Sequence, residues 1–293
     1  MNITPSKKNN FLPYAGRKAV LATMHSKHTA VAPALRAGVG LEIVTATGID
    51  TDQLGTFSGE IPRNGTMLEV AISKTRLGMK ASGLSLGLAT EGTFGPHPAL
   101  PFLAAGIELM TFVDDERKIV VSESFVAPHT NFDYLVVAPG EDLKGFLDRV
   151  GFPSHALIVR PNEGSPSQGL VKGILDASDL GRAIAVAASL SSDGKAQLET
   201  DMRAHLNPTR MQSLALLAEK LAKRLATACP ECDAPGFGRT ETREGLLCEA
   251  CGAPTQMIAT EVFSCASCSY REDRPRFDGL RKAPPGSCPE CNP

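Results

Sequence analysis

The eight cysteines of the chain all lie in its last 65 residues, where they form four Cys-x-x-Cys pairs. These pairs are Cys229/Cys232, Cys248/Cys251, Cys265/Cys268 and Cys288/Cys291. Eight thiols in four pairs are the ligand count of two tetrahedral four-thiolate zinc sites. The N-terminus has no apolar core typical of an export signal, so metal ligation is favoured over disulfides. The pattern therefore predicts a module over residues 229–293 that holds two structural zinc ions.

The order of the pairs leaves the ligand sets of the two sites open. Residues 248–268 carry two pairs separated by a β-like run, which is a zinc-ribbon pattern. This favours a nested arrangement, in which the two inner pairs share one zinc and the two outer pairs share the other. A sequential arrangement of the first two and the last two pairs is the alternative. An iron–sulfur or redox role is the alternative to zinc, and it fits four evenly spread pairs less well.

The charge of the chain argues against nucleic acid as a partner. The net charge is −2, tryptophan is absent, and residues 228–293 hold seven Lys and Arg against ten Asp and Glu. Two four-thiolate zinc sites would make the module more acidic still, which disfavours contact with phosphate backbones. We therefore expect the module to be a folding or docking element.

The cysteine-free part predicts an α/β body. Residues 1–16 are polar and are predicted to be a flexible tail, and the body spans residues 17–228, where helices and strands alternate. Residues 107–113 and 118–125 are predicted to form a hairpin, and residues 207–227 the clearest helix. No apolar run approaches the ~20 residues of a membrane helix, so the cytoplasm is the expected location.

Three polar segments of the body could bind an anion. The first is the loop Ala22–Lys27, which lies between a predicted strand and a predicted helix and would point a helix N-terminus and Lys27 at one spot. The second, residues 50–74, places carboxylates beside cations and suits magnesium together with phosphates. In the third, Glu91 follows the predicted strand Leu84–Thr90, and ligands of open α/β sheets collect at such strand ends.

These three segments resemble motifs of the inosine-triphosphatase-like superfamily and follow one another in the same order along the chain. That superfamily includes pyrophosphatases that hydrolyse damaged nucleoside triphosphates. Residues 27–31 (KHTAV) are similar to the Lys-x-x-Ala-Val segment of that superfamily, and residues 68–74 (LEVAISK) to its Glu-Asn-Ala-x-x-Lys helix. Residues 86–92 (LGLATEG) resemble its acidic strand end, and Arg210 resembles its last arginine. His25 and Val70 replace two asparagines of these motifs. The motifs GTFSGEIPR, EGTFGPHP and ETDMRAHLNPTR also resemble an uncharacterised bacterial family that carries a domain of unknown function.

The superfamily resemblance implies a mixed sheet flanked by helices and a magnesium-dependent hydrolase that acts on a nucleotide or a related phosphorylated small molecule, often as a homodimer. The carboxylates implied to hold magnesium and act in catalysis are Glu69, Glu91, Asp52 and Glu60. The residues implied to bind the phosphates are Thr23, His25, Lys27, Arg63, Lys74 and Arg210.

Three other functions fit the same sequence. The first is a nucleotide-binding regulator without turnover, for which the substituted His25 and Val70 leave room. The second is a scaffold whose zinc module docks a partner protein. The third is a metal hydrolase that uses His25, His28 and His97, whose spacing is not that of a tight ligand set.

Overall fold

A computed structural model of the chain describes residues 12–23, 26–46, 48–49, 53, 64–97, 100, 102–127, 129–165 and 168–293. Within these residues the chain forms an α/β body and a small C-terminal β module. The prediction of an α/β body with a mixed sheet and packed helices is confirmed.

The first part of the body, which we call the core lobe, is built on a mixed five-stranded sheet. Its elements are β1 (Lys18–Leu21), α1 (His28–Val39), β2 (Glu42–Thr45), α2 (Met67–Ser82), β3 (Leu86–Pro96), β4 (Ala104–Asp114) and β5 (Ile119–Val126). The strand order is β2-β1-β3-β4-β5, in which β1 is parallel to both of its neighbours and β3, β4 and β5 are antiparallel. The predicted hairpin is confirmed as β4 and β5.

The second part, which we call the small lobe, is an antiparallel four-stranded sheet with two packed helices. Its elements are β6 (Tyr134–Val137), α3 (Lys144–Val150), β7 (Leu157–Pro161), β8 (Val171–Ile174), α4 (Ala177–Leu190) and β9 (Ala196–Thr200). The strand order is β6-β9-β7-β8. The lobe has its own apolar cluster, to which Leu157, Leu198 and Ile184 belong. The sequence did not predict β8, which is only four residues long and follows a polar loop.

The last helix of the body, α5 (Pro208–Leu225), returns from the small lobe and packs on the core lobe. Leu217, Leu221 and Leu225 join the core of the five-stranded sheet beside Val31 and Leu35 of α1. Asn207 caps α5 by accepting a hydrogen bond from the backbone N–H of Arg210 (2.9 Å), and Pro208 occupies the first turn. The predicted helix and its cap are therefore confirmed.

The module that follows is a three-stranded antiparallel sheet. Its strands are β10 (Gly238–Glu244), β11 (Ile258–Ser264) and β12 (Arg271–Pro275), in the order β10-β11-β12. No helix in the described part of the chain is long and apolar enough to cross a membrane.

Two predictions about local structure were wrong. Strand β3 does not end before Glu91 but continues to Pro96, because residues 91–96 keep pairing with β4. Glu91 therefore lies within a long strand rather than at its end. The predicted tail is also too long: the side chain of Tyr14 is fully buried, packs edge-on against Phe112, and donates a hydrogen bond to Asp114 (3.3 Å).

Candidate functional site: a buried charged cluster and two cysteine sites

The eight cysteines gather in two groups of four. One group, the proximal site, is Cys229, Cys232, Cys265 and Cys268; the other, the distal site, is Cys248, Cys251, Cys288 and Cys291. The first pair therefore shares a site with the third, and the second pair with the fourth. Both the nested and the sequential arrangements were wrong. The strands explain the interleaving, because β10 and β11 are antiparallel neighbours, so the residues before β10 lie beside those after β11.

The sulfur geometry fits zinc. The distances are 3.8 Å from Cys229 Sγ to Cys268 Sγ and 3.6 Å from Cys232 Sγ to Cys265 Sγ. In the distal site the corresponding values are 3.9 and 3.6 Å. Four ligands at ~2.3 Å on a tetrahedron lie ~3.8 Å apart, whereas a disulfide would need ~2.05 Å. Both groups could hold a zinc ion with no ligand position left for water, which is the geometry of a structural site.

The backbone also supports metal binding at the proximal site. The N–H groups of Ser267 and Cys268 point at Cys265 Sγ, at 3.2 and 3.3 Å. Such N–H···S bonds stabilise a thiolate and orient it toward its metal. Asp233 and Gly252, each one residue past a cysteine pair, both have positive φ (57° and 75°). The turn formed by Cys229/Cys232 in the proximal site and the turn formed by Cys248/Cys251 in the distal site therefore have the same geometry.

The two cysteine sites differ in what surrounds them. The proximal site packs on the core lobe: Ala266 contacts its apolar core, and a Cβ at Gly236 would lie 2.5 Å from Val121 of β5. Arg224 of α5 donates to the carbonyl of Gly236 (3.2 Å). The described backbone hydrogen bonds of the distal site instead stay within the module, as does the one from the Ala283 N–H to the Leu247 carbonyl (2.9 Å). The proximal site therefore joins the module to the body.

A second constellation, which we call the charged cluster, is buried in the body. Its members are Lys27, Lys74, Glu91, Glu108 and Arg210, and each has at most 8 % of its surface exposed. They come from five different elements or their ends: Lys27 precedes α1, and the others lie in α2, β3, β4 and α5. Burying five charges is costly unless they are paired, so the pairing within the cluster shows which of the charges are compensated.

Two ion pairs account for four members of the cluster. Lys74 Nζ lies 2.6 Å from Glu91 Oε1. Arg210 donates from Nε to Glu108 Oε1 at 2.6 Å and from its terminal nitrogen to Glu108 Oε2 at 3.2 Å. The same guanidinium donates to the carbonyl of Met202, between the small lobe and α5.

Strand β3 is shaped to accommodate the second pair. A Cβ at Gly92 would lie 2.5 Å from a terminal nitrogen of Arg210 and 2.8 Å from a carboxylate oxygen of Glu108. Gly92 is directly opposite Glu108 in the strand register. The guanidinium also lies over the ring of Phe94, 5.0 Å from its centroid. A residue with a side chain at position 92 would therefore displace the ion pair.

The small lobe helps to place Arg210. The buried Asn207 amide donates to Asn131 Oδ1 (2.9 Å) while its oxygen caps α5. His155 Nε2 accepts from the backbone N–H of Thr209 (3.3 Å). The first turn of α5 is thus held from outside the core lobe.

Lys27 differs from the other two cations. Its Nζ donates to the neutral hydroxyl of Thr90 (2.7 Å), and no ion pair joins it to a carboxylate among the described residues. Burial, and to a lesser extent the positive charge of nearby Arg210, lower the pKa of Lys27 to about 7, against the opposing effect of Glu108 and Glu91. The cluster therefore carries an excess positive charge that is readily lost near neutral pH.

The structure brings together four of the residues predicted from the sequence, namely Lys27, Lys74, Glu91 and Arg210. Thr23 is buried two residues after the end of β1. Glu69 is exposed, and its carboxylate accepts from the backbone N–H of Thr66 (2.8 Å) in a capping box. Among the described residues, no contact links Glu69 to the charged cluster. Four other predicted residues lie outside the described part of the chain: His25, Asp52, Glu60 and Arg63.

Sequence reasoning missed Glu108 and Thr90. A glutamate within the apolar residues 107–113 of β4 was the available signal, because a fully buried carboxylate needs a partner. The predicted histidine site has no support among the described residues: His28 Nε2 bonds to the Ile43 carbonyl and His97 Nδ1 accepts from the Leu100 N–H. The groups of possible metal ligands found in the described residues are the two cysteine sites.

The charged cluster fits magnesium only as a companion of phosphate. Its two carboxylates, Glu91 and Glu108, are each paired with a cation, and three cations surround them. Such a set attracts an anion more than a bare divalent cation. Magnesium commonly binds through one or two carboxylates plus substrate phosphates, and that mode remains compatible with these residues.

Fold and sites together define an α/β protein with a buried charged cluster and a C-terminal module that could hold two zinc ions. Residues 74–293, about three quarters of the chain, match the family described as a domain of unknown function (DUF6671). The chain belongs to this family. A search of the curated proteins found no match.

Proposed function

We propose that the charged cluster binds the phosphate groups of a nucleotide or a related phosphorylated small molecule, and that the protein hydrolyses a phosphoanhydride bond there with magnesium. The observation that carries the proposal is the convergence on one buried spot of Lys27, directly before α1, Lys74 of α2 and Arg210 of α5. Three cations against two carboxylates leave a net positive charge, which suits an anionic ligand.

The energetic cost of the cluster supports a functional role. Replacing buried ion pairs by packed apolar side chains is often neutral or stabilising, so such pairs add little to stability. Groups with strongly shifted pKa values are concentrated at functional sites, and Lys27 is such a group.

The position of each residue is compatible with the resemblance to the inosine-triphosphatase-like superfamily. Lys27 directly precedes α1, Lys74 lies on α2, and Glu91 lies on β3, which is the order of the corresponding motifs. Arg210 lies in the first turn of α5, where the resemblance implies an arginine. The matching order of the motifs along the chain supports hydrolysis of a phosphoanhydride bond. It does not identify the base or the sugar of the substrate.

In the proposed reaction, the cations bind the phosphate oxygens and Glu91 accepts a proton from the attacking water. The water oxygen bonds to phosphorus as the anhydride P–O bond breaks, so that a nucleoside triphosphate would give a monophosphate and pyrophosphate. Lys74, 2.6 Å from Glu91, would keep this carboxylate oriented. Magnesium, when bound with the phosphates, would neutralise part of the negative charge that develops during the reaction.

The test is pyrophosphate release from a panel of nucleoside triphosphates, with and without magnesium. Glu91→Gln should lower the rate by about 10²–10⁴-fold, the usual contribution of a general base. Glu219→Gln is the matched control, because Glu219 is exposed on α5. The hydrolase is excluded if no triphosphate is cleaved, and the role of Glu91 if its variant keeps full activity.

A second function, nucleotide binding without turnover, is favoured by one observation. Both carboxylates of the cluster are paired with cations in the unbound protein, as expected of a site in which they balance charge rather than accept a proton. Calorimetry would then detect binding of a nucleoside triphosphate while the assay detects no product. Binding together with turnover would rule this function out.

A further inference from the structure

The charged cluster holds three cations in two kinds of environment. Lys74 and Arg210 each have a carboxylate oxygen at 2.6 Å, whereas the described partner of Lys27 is the hydroxyl of Thr90. A buried ammonium group whose partner is neutral loses hydration without gaining an ion pair. Its charge therefore depends on what else occupies the site.

The groups that face Lys27 come from four elements of the body. They are Lys74 of α2, Glu91 of β3, Glu108 of β4 and Arg210 of α5. The charges of these four cancel in pairs, so Lys27 alone decides whether the described cluster is neutral or carries one positive charge. Its pKa of about 7 means that both states are populated near neutral pH when no ligand is bound.

We propose that Lys27 is the specificity-determining residue of the site: it takes up a proton when a doubly charged terminal phosphoryl group binds, and so selects such ligands over phosphodiesters. This inference rests on the proposed phosphate site but not on hydrolysis. A terminal phosphoryl group loses its second proton near pH 6, so it brings two negative charges above neutral pH, whereas a diester brings one. The larger negative charge stabilises the ammonium form of Lys27 more strongly.

The sign of the pH effect follows from this coupling. An anion raises the pKa of Lys27 above its value in the unbound protein, so a proton is taken up on binding when the pH lies between the two pKa values. Between about pH 6, where the phosphoryl group has lost its second proton, and about pH 7, the ammonium is already present and affinity is highest. Above about pH 7 affinity falls with rising pH, by up to about tenfold per pH unit, until the pKa of the bound state is passed.

The experiment is titration calorimetry of the full chain at about pH 8, without magnesium, in two buffers of different ionisation enthalpy. The probes are a nucleoside triphosphate, inorganic tripolyphosphate and a 3′,5′-cyclic nucleotide as the diester. We expect uptake of close to one proton with the first two probes and weak binding of the third. Lys27→Met should abolish the uptake and flatten the pH profile, whereas Lys80→Met, an exposed lysine on α2, should change neither.

The outcomes separate this inference from the proposed function. Tight binding without proton uptake, or equal affinity for the diester, would overturn the role of Lys27 and leave the phosphate site intact. Failure of all three probes to bind the folded wild-type protein, both without magnesium and with it added, would overturn both proposals. Because the two-buffer measurement uses the wild-type chain, the result stands even if Lys27→Met does not fold.

Discussion

The cysteine-rich module and the charged cluster are both assembled from distant residues, but they differ in how each part is specified. Every cysteine pair forms its own local turn, and the cysteines that face each other across the two turns of a site are 33–43 residues apart in the chain. The cluster has no comparable local unit. Arg210 and Glu108 are 102 residues apart in the chain, and the two sheets of the body together with α5 bring them into contact. Local motifs thus fix the chemistry of the module, whereas only the whole fold fixes that of the cluster.

This difference explains what the sequence predicted and what it did not. The spacing of the cysteines identified all eight proposed ligands, because each pair carries its own signal. Their partition into two sites was wrong, since it depends on the antiparallel pairing of β10 and β11.

In the body, the helix periodicity of α5 and its Asn207 cap were sufficient to predict that helix. Glu108 was missed because its partner, Arg210, lies on another element. The extension of β3 through Gly92 and Pro96 was missed because these residues indicate a turn, whereas pairing with the eleven-residue β4 outweighs that tendency.

The largest effect is expected from the proximal cysteine site, if it holds zinc as its geometry allows. Cys229→Ser should remove one zinc ion of two and lower the Tm of the whole protein, because this site packs on the core lobe through Gly236 and Ala266. Structural zinc contributes about 10–16 kcal/mol of apparent binding free energy in small zinc domains. Zinc content by mass spectrometry and thermal unfolding are the measurements.

Cys288→Ser is the matched control for that variant, since Cys229 and Cys288 are both buried. It should also remove one zinc ion, but the transition of the body should stay near its wild-type temperature, because the described backbone bonds of the distal site stay in the module. Equal losses of Tm in the two variants would contradict the distinction between a proximal and a distal site.

The next largest effect is expected inside the charged cluster. Arg210→Met leaves the fully buried Glu108 without its guanidinium and should destabilise the protein by about 3–5 kcal/mol. The double variant Arg210→Met, Glu108→Met should recover most of that loss, because no unpaired charge remains. Urea unfolding of both variants measures the coupling. A double variant as unstable as the single one would show that the pair matters for packing rather than for charge.

A smaller effect is expected where β3 passes under the ion pair. Gly92→Ala introduces a methyl group that must displace the ends of Arg210 and Glu108, and should cost about 1–3 kcal/mol. It should also weaken phosphate binding, because the guanidinium moves. Gly95→Ala lies on the same strand with nothing within 4 Å of its Cβ, so it controls for the loss of a glycine. Similar urea midpoints for the two alanine variants would mean that the close approach at Gly92 has no energetic consequence.

The smallest effect is expected at Glu69, the predicted ligand that the structure leaves outside the cluster. Hydrogen bonds from the backbone N–H and the hydroxyl of Thr66 lower the pKa of Glu69, so its charge stabilises the start of α2 above the ordinary glutamate pKa. This contribution is lost as the pH falls through the lowered pKa. Glu69→Gln keeps a capping-box side chain, so it should lower the Tm slightly at neutral pH, and the difference from wild type should disappear in acid. The assays of pyrophosphate release and nucleotide binding should be unaffected. A loss of activity without a loss of Tm would instead show that Glu69 acts in catalysis. In that case α2 would supply two residues to the catalytic site, Glu69 as well as Lys74.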